Sequence, residues 1–243
     1  MHSPNGRTLA PSAGVLIQAQ AFVFDLDGTI LDSEKYHTDA FARAMQECTG
    51  YQISAAEKRE SLGSTSMTFA AKLANRHKLL LSPGVISQRK NAIMSRTFRA
   101  ELFPAALRFL NLWDGRIPMA IATNSRREFA EYALRQVNLL DRFEAVVTMD
   151  DAKAQKPDPE IIRLAVARLQ SAAERTLVFE DTLIGSEAAK NAGCPVVLVQ
   201  LAPVPFLTWS TKLYISSWPE LCEISQEALK LDSAVEESKP AGT

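Results

Sequence analysis

Five short apolar runs divide the chain: Ala21–Phe24, Ile117–Ala122, Ala145–Met149, Thr176–Phe179 and Val196–Gln200. Each is of strand length and rich in Val, Ile and Phe, and the hydrophobicity is nearly continuous. Such runs suit strands buried on both faces, as in a parallel sheet. Between the later runs the period changes. Arg126 to Leu139 sets Phe129, Tyr132, Ala133 and Val137 near helical spacing, with Leu140 just beyond, and Pro159 to Leu169 does the same with Ile161, Ile162, Ala165, Val166 and Leu169. Pro159 suits a first helical turn, where its missing N–H costs nothing. A shorter helix, Leu183 to Asn191, is stopped at Gly193 with Pro195 beyond it. Strands alternating with helices predict an α/β domain built on a doubly wound parallel sheet.

The stretch between the first two runs breaks this alternation. Ser33 to Phe103 holds no strand pattern and reads as helices over Lys35–Glu47, Ala55–Leu62, Thr65–Lys78 and Pro83–Ala100. The expectation is a Rossmann-like α/β core, residues 15–32 and 104–232, carrying an inserted α-helical domain over 33–103. Residues 1–14 and 233–243 read as flexible extensions, the second because of its polar composition.

Composition narrows the class further. The 243 residues are 47% hydrophobic and 23% charged with a formal net charge of -1, an ordinary balance for a globular protein. No basic block stands out, so neither nucleic acid nor an anionic membrane is expected as a partner. No run reaches the roughly 20 apolar residues of a membrane helix, and the Val15-Leu16-Ile17 run is too short for a signal peptide. The three cysteines, Cys48, Cys194 and Cys222, are widely spaced without a CxxC. Reduced thiols in a cytoplasmic protein are the expectation.

Polar residues gather where the apolar runs stop, and in parallel α/β sheets ligands bind beyond the carboxyl ends of the strands. The first run ends in Asp25-Leu26-Asp27-Gly28-Thr29, the second in Thr123-Asn124-Ser125, and the fourth in Glu180-Asp181, while Lys156 stands in Lys-Pro-Asp-Pro. Carboxylates this close repel unless a cation or a shared proton intervenes. Mg²⁺ prefers oxygen ligands and substrate phosphate. One carboxylate can attack phosphorus while the other handles the proton of the leaving group. A hydroxyl and an amide can hold phosphoryl oxygens, and a lysine can offset their charge. Taken singly, each set has a plain structural explanation: a polar strand end, a loop lysine, a helix cap. It is their order along the chain, each on a strand end, that points to phosphoryl chemistry. No Walker-type P-loop accompanies them.

These sets, together with Lys156-Pro157-Asp158-Pro159 and Phe179-Glu180-Asp181-Thr182, resemble the four motifs of the haloacid dehalogenase-like (HAD) hydrolase superfamily. The resemblance spans about Ala21 to Gln200, and the helical insert resembles the cap of the branch containing β-phosphoglucomutase and sugar-phosphate phosphatases. It implies a Mg²⁺-dependent enzyme acting on a small phosphorylated metabolite through an aspartyl-phosphate. By the same resemblance Asp25 is nucleophile and metal ligand. Asp27 is general acid/base and offers its backbone carbonyl to the metal. Thr123 and Asn124 hold the phosphoryl group, Lys156 stabilises charge, Asp181 ligates Mg²⁺ and Glu180 sits beside it in the metal shell. The cap is expected to close over the site, and a monomer fits the branch.

Within the insert, Asp32-Ser33-Glu34-Lys35-Tyr36-His37 and Arg89-Lys90-Asn91 are similar to cap segments of the mutase branch, which makes His37 and Lys90 candidate substrate contacts. A helix-surface histidine and a solvated lysine are the plain alternatives. One departure separates the chain from the mutases. Where they carry an Arg for a second phosphate, the matching residues here are Gly63-Ser64-Thr65-Ser66. Without a guanidinium a monophosphate is easier to hold than a bisphosphate. A phosphatase acting on a sugar or polyol monophosphate is therefore the leading expectation. A phosphomutase is the alternative, and a non-catalytic binding module a remoter one.

Overall fold

The computed structural model describes residues 10–61, 64–199 and 213–237, the last four without their side chains. The expected ends at Leu62 and Gln200, most of the N-terminal extension and the last residues of the tail lie outside the described residues. In chain order the elements are α1 (Ala13–Gln18), β1 (Ala21–Phe24), α2 (Glu34–Thr49), α3 (Ala55–Glu60), α4 (Ser66–His77), α5 (Pro83–Thr97) and α6 (Pro104–Trp113). They continue with β2 (Met119–Ala122), α7 (Arg127–Gln136), β3 (Ala145–Val147), α8 (Glu160–Arg168), β4 (Thr176–Glu180), α9 (Leu183–Asn191), β5 (Val196–Val199), β6 (Leu213–Ser216) and α10 (Trp218–Glu237). The chain forms two compact units, one from the segments up to Leu31 and from Leu102 onward, the other from Asp32 to Glu101.

The first unit is the α/β domain the apolar runs predict. Its sheet is parallel throughout, in the order β3-β2-β1-β4-β5-β6. Every residue of β1, β2, β4 and β5 is buried, which is why these runs lack alternation. Alternate residues nevertheless serve different layers. Ala21 and Val23 of β1 join Val178 of β4 in an aliphatic core with Ile161, Ile162 and Ala165 of α8 and Ala188 and Ala189 of α9. Phe22 and Phe24 face an aromatic layer instead. Phe24 stacks on Phe179 at 4.7 Å, Phe179 stacks on Trp218 of α10 at 5.7 Å, and Phe109 of α6 lies 5.1 Å from Phe179. Trp218 Nε1 donates to the Thr29 carbonyl at 2.9 Å, so this layer also grips the loop after β1.

Among the elements not legible in the sequence are three that complete the α/β unit. β6 extends the sheet beyond the five expected strands, and α6 and α10 pack against one another outside the aromatic layer. α10 continues through Glu237, into the span expected as a tail from Ser233, and Ser233 Oγ donates to the Leu229 carbonyl one turn back at 2.9 Å. Cys194 is buried in the aliphatic core, Cys222 is buried and Cys48 exposed, all three as free thiols. No described helix is long and apolar enough to cross a membrane.

The second unit is helical, α2 to α5, with α5 packed on both α2 and α4. Its core includes Phe41, Met45, Phe69, Leu73, Ile86 and Phe98. The entry to α3 is a capping box: Ser54 Oγ accepts from the Glu57 N–H, and the Glu57 carboxylate accepts from the Ser54 N–H at 2.8 Å. The same carboxylate, 6% exposed, accepts from Tyr51 OH at 2.9 Å and meets His77 Nε2 at 2.7 Å.

Candidate active site

The strand order reverses around β1, whose two neighbours are β2 and β4. That switch point is where an open α/β sheet leaves a crevice at its carboxyl edge. Asp25 follows β1 directly, its N–H donating to the Phe179 carbonyl of β4 at 2.9 Å. Glu180 ends β4 and Asp181 follows it. One oxygen each of Asp25, Glu180 and Asp181 lies within 4.8 Å of the others.

Lys156 reaches this cluster from the loop after β3. Its ammonium donates to Asp25 Oδ1 at 2.7 Å and to Glu180 Oε1 at 2.5 Å, with 5% of the residue exposed. Burial would lower the pKa of Lys156, but the Asp25 and Glu180 carboxylates outweigh it and hold the amine protonated. Burial pushes the Asp25 carboxyl well above the usual range. Lys156 opposes that rise, while Glu180, Asp181 and Asp27 add to it. Asp181 is likewise raised, by burial and then by Glu180, against hydrogen bonding from Thr29. Four carboxylates around one ammonium thus leave surplus negative charge in a buried place. An all-oxygen donor set under mutual repulsion fits a hard divalent cation. Asp25 and Asp181, with Glu180 beside them, are the residues that could hold it.

Two glycines make this packing possible. At Gly28, with φ +82°, an added Cβ would lie 2.2 Å from Asp181 Oδ2. At Gly185, in the first turn of α9, the approach is closer still, and an added Cβ would fall inside the Glu180 carboxylate. Thr182 caps α9 by accepting from the Gly185 N–H at 3.0 Å, and its hydroxyl donates to Glu180 Oε2 at 3.0 Å. Thr29 Oγ1 donates to Asp181 Oδ1 at 2.9 Å. Of these contacts the sequence signals only the small residues beside the acids, Gly28, Thr29 and Thr182.

The loop after β2 completes the arrangement. Thr123 is buried, its N–H donating to the Val147 carbonyl at 2.9 Å and its hydroxyl accepting from the Ser125 N–H at 3.0 Å. Ser125 Oγ donates to Asp27 Oδ2 at 2.6 Å, a contact the sequence did not disclose. The Asn124 carboxamide meets the main chain of Lys156, accepting from its N–H at 2.9 Å and facing its carbonyl at 3.4 Å. Asp25, Asp27, Thr123, Asn124, Lys156, Glu180 and Asp181 are therefore gathered on one edge of the α/β unit. His37 and Lys90 belong to the helical unit, where Lys90 Nζ lies 2.8 Å from His37 Nδ1.

A family model described as haloacid dehalogenase-like hydrolase matches residues 22–199. The chain belongs to the haloacid dehalogenase-like hydrolases. Among similar proteins are a fructose-1-phosphate phosphatase, YqaB, of Escherichia coli and a phosphorylated carbohydrates phosphatase of Thermotoga maritima. The first is 31% identical over 180 residues, covering 74% of this chain and 95% of the relative. The second is 31% identical over 184 residues, covering 72% and 82%. The fold is shared with CbbY from Rhodobacter sphaeroides, at TM-score 0.72 and 24% identity over 84% of this chain and 96% of that one. It is shared equally with a β-phosphoglucomutase from Clostridium difficile, at TM-score 0.69 and 18% identity over 91% and 100%. With its phosphatase relatives, this hydrolase is a phosphoric monoester hydrolase.

Proposed function

We propose that this hydrolase is a Mg²⁺-dependent phosphatase of a monophosphorylated carbohydrate, a sugar or polyol phosphate, working through an aspartyl-phosphate on Asp25. The observation that carries the reading is the buried Asp25–Lys156–Glu180 contact set beside an Asp27 held by Ser125. Asp25 supplies the oxygen that bonds to phosphorus as the ester oxygen leaves. Asp27 gives that oxygen its proton and later takes one from the water that releases phosphate. Lys156 offsets charge on the nucleophile and the moving phosphoryl group, while Thr123 and Asn124 border the place where its oxygens rest. Asp25, Asp181 and the Asp27 carbonyl would hold Mg²⁺, which supplies further charge neutralisation at phosphorus when bound. The carbohydrate class is drawn from the fructose-1-phosphate and phosphorylated-carbohydrate phosphatases above. His37 and Lys90, paired at 2.8 Å, are the proposed contacts to the sugar.

The phosphomutase reading gains nothing specific. Thr65, in the segment where a mutase carries its Arg, is occupied as the N-cap of α4, accepting from the Thr68 N–H at 3.1 Å. Gly63 lies outside the described residues. The deciding experiment is phosphate release from a panel of sugar and polyol monophosphates with Mg²⁺, by wild type and Asp25→Asn in parallel. Release by wild type alone, with unchanged circular dichroism in the variant, is the expected result. Undiminished release by Asp25→Asn would remove the nucleophile. No release, with turnover of β-glucose 1-phosphate in the presence of its bisphosphate, would turn the assignment to a mutase.

A further inference from the structure

A lysine ammonium stands on a flexible four-carbon stem, so the acids it can reach depend on where the backbone places its Cα, and a mobile backbone would add to the freedom of the stem. Lys156 has no strand or helix to hold that backbone, since it sits in the connection between β3 and α8. Several side chains tie the connection down, two of them close to Lys156. The Glu160 carboxylate accepts from the N–H groups of Lys153 and Ala154, at 2.7 and 3.2 Å. The Asn124 carboxamide takes Lys156 itself, with the Lys156 N–H on Oδ1 at 2.9 Å and Nδ2 facing the Lys156 carbonyl at 3.4 Å. Because an N–H must face an oxygen, this pairing also fixes which way the carboxamide is turned. Asn124 is itself rigidly placed between Thr123, bonded to Val147, and Ser125, whose carbonyl accepts from the Met149 N–H at 3.2 Å.

We propose that Asn124 is a positioning residue for Lys156. Its side chain clasps the Lys156 main chain and aims the ammonium at Asp25, and it does not hold the phosphoryl group itself. This rests on the phosphatase reading above, and it changes what the side chain of Asn124 is for. A carboxamide that turned to a phosphoryl oxygen would have to release the Lys156 carbonyl and reorient away from its N–H. The same clasp couples the loop after β2, where the phosphoryl group is bordered, to the lysine that offsets its charge. Loosening it would let the ammonium drift from Asp25 while leaving the bordering groups in place.

The test has an arm that needs no turnover. In Asn124→Ala, hydrogen exchange at the Lys156 amide should quicken by at least about tenfold relative to wild type, whereas Asn124→Asp, which keeps an acceptor, should retain the protection. Loss of a residue that orients a reactive group commonly costs roughly 10- to 100-fold in activity. Asn124→Ala should show that loss in kcat, with KM for the ester changed less than about threefold. In a Lys156→Met background the same substitution should change kcat less than about twofold, because the lysine it serves is gone. A KM and an inhibition constant for inorganic phosphate raised tenfold or more, with kcat intact and the effect surviving in Lys156→Met, would overturn the proposal and return the side chain to the phosphoryl group. Unchanged exchange at Lys156 in a folded Asn124→Ala would overturn it as well. A wild type inactive on every ester would remove only the reading beneath it, and the exchange arm would still uphold or overturn the clasp.

Discussion

Gly185→Ala isolates the close packing behind the acid cluster. In an ordinary helix this change stabilises, by about 1 kcal/mol from helix propensity and the stiffer unfolded chain. Here the new methyl would meet the Glu180 carboxylate, with Oε2, the farthest of its three nearest atoms, at 2.2 Å. Ordinary contact begins near 3.4 Å, so the carboxylate must retreat by more than about an ångström or the helix must shift. Either movement breaks the 2.5 Å bond to Lys156 Nζ and the 3.0 Å bond from Thr182. Overpacking costs about 1–3 kcal/mol, and removing one partner of a buried ion pair about 3–5 kcal/mol. Lys156 keeps Asp25, so only part of the second cost applies. A total near 3 kcal/mol against a gain near 1 leaves a net loss of about 2 kcal/mol, or a fall in Tm of roughly 4–8 °C for a chain of this size. All three tryptophans lie outside residues 32–101, so fluorescence-detected melting in excess chelator follows the α/β unit. A Tm equal to or above that of wild type would refute the argument, because the unclashed helix predicts a rise.

Two further outcomes are expected. Chelation should abolish phosphate release and added Mg²⁺ should restore it; full activity in excess chelator would remove the metal from the mechanism. The helical unit should lose stability in acid through Glu57. Burial raises its pKa, but bonds from the Ser54 N–H and hydroxyl, His77 and Tyr51 outweigh that and hold it at about 2 against an ordinary 4.5. A depressed carboxyl stabilises the fold fully above the ordinary value and progressively loses that contribution as pH falls towards about 2. The size is at most of order 3 kcal/mol, because solvent screens the partly exposed His77 and Arg76 partners. Glu57→Gln cannot titrate, so its circular dichroism across that window should change less steeply than that of wild type; equal slopes would sink the assignment.

The sheet interior and the polar strand ends were readable because burial on both faces imposes continuous apolar runs, and the residues after them have nowhere to go but the carboxyl edge. β6 escaped because its apolar run, Leu213-Tyr214-Ile215, is only three residues long between Lys212 and Ser216, too short to separate from the surrounding polar chain. α10 escaped because its polar second half reads like a tail until Trp218 and Leu221 are seen buried at its start. In the site, residue types foretold who gathers there but not who touches whom. Asn124 to Lys156 and Ser125 to Asp27 are contacts across 32 and 98 positions, set by strand order rather than by any local pattern. Nothing in Ile184-Gly185-Ser186 announces that Gly185 makes room for a carboxylate.

The chain leaves the α/β unit at Leu31 and returns at Leu102, and these two residues form an antiparallel bridge. Residues bridged in this way have Cα atoms about 5 Å apart. A folded helical insert therefore holds the exit from β1 beside the entry to α6, the helix that leads to β2. An unfolded one would leave them joined by a long flexible loop, and closing it carries an entropic cost that grows with its length. Consecutive helices are rich in local contacts and form quickly, whereas parallel strand pairing is slow. The insert should thus acquire structure first and template the pairing of β1 with β2. Early amide protection in α2 and α5 and late protection in β1 would be its kinetic trace.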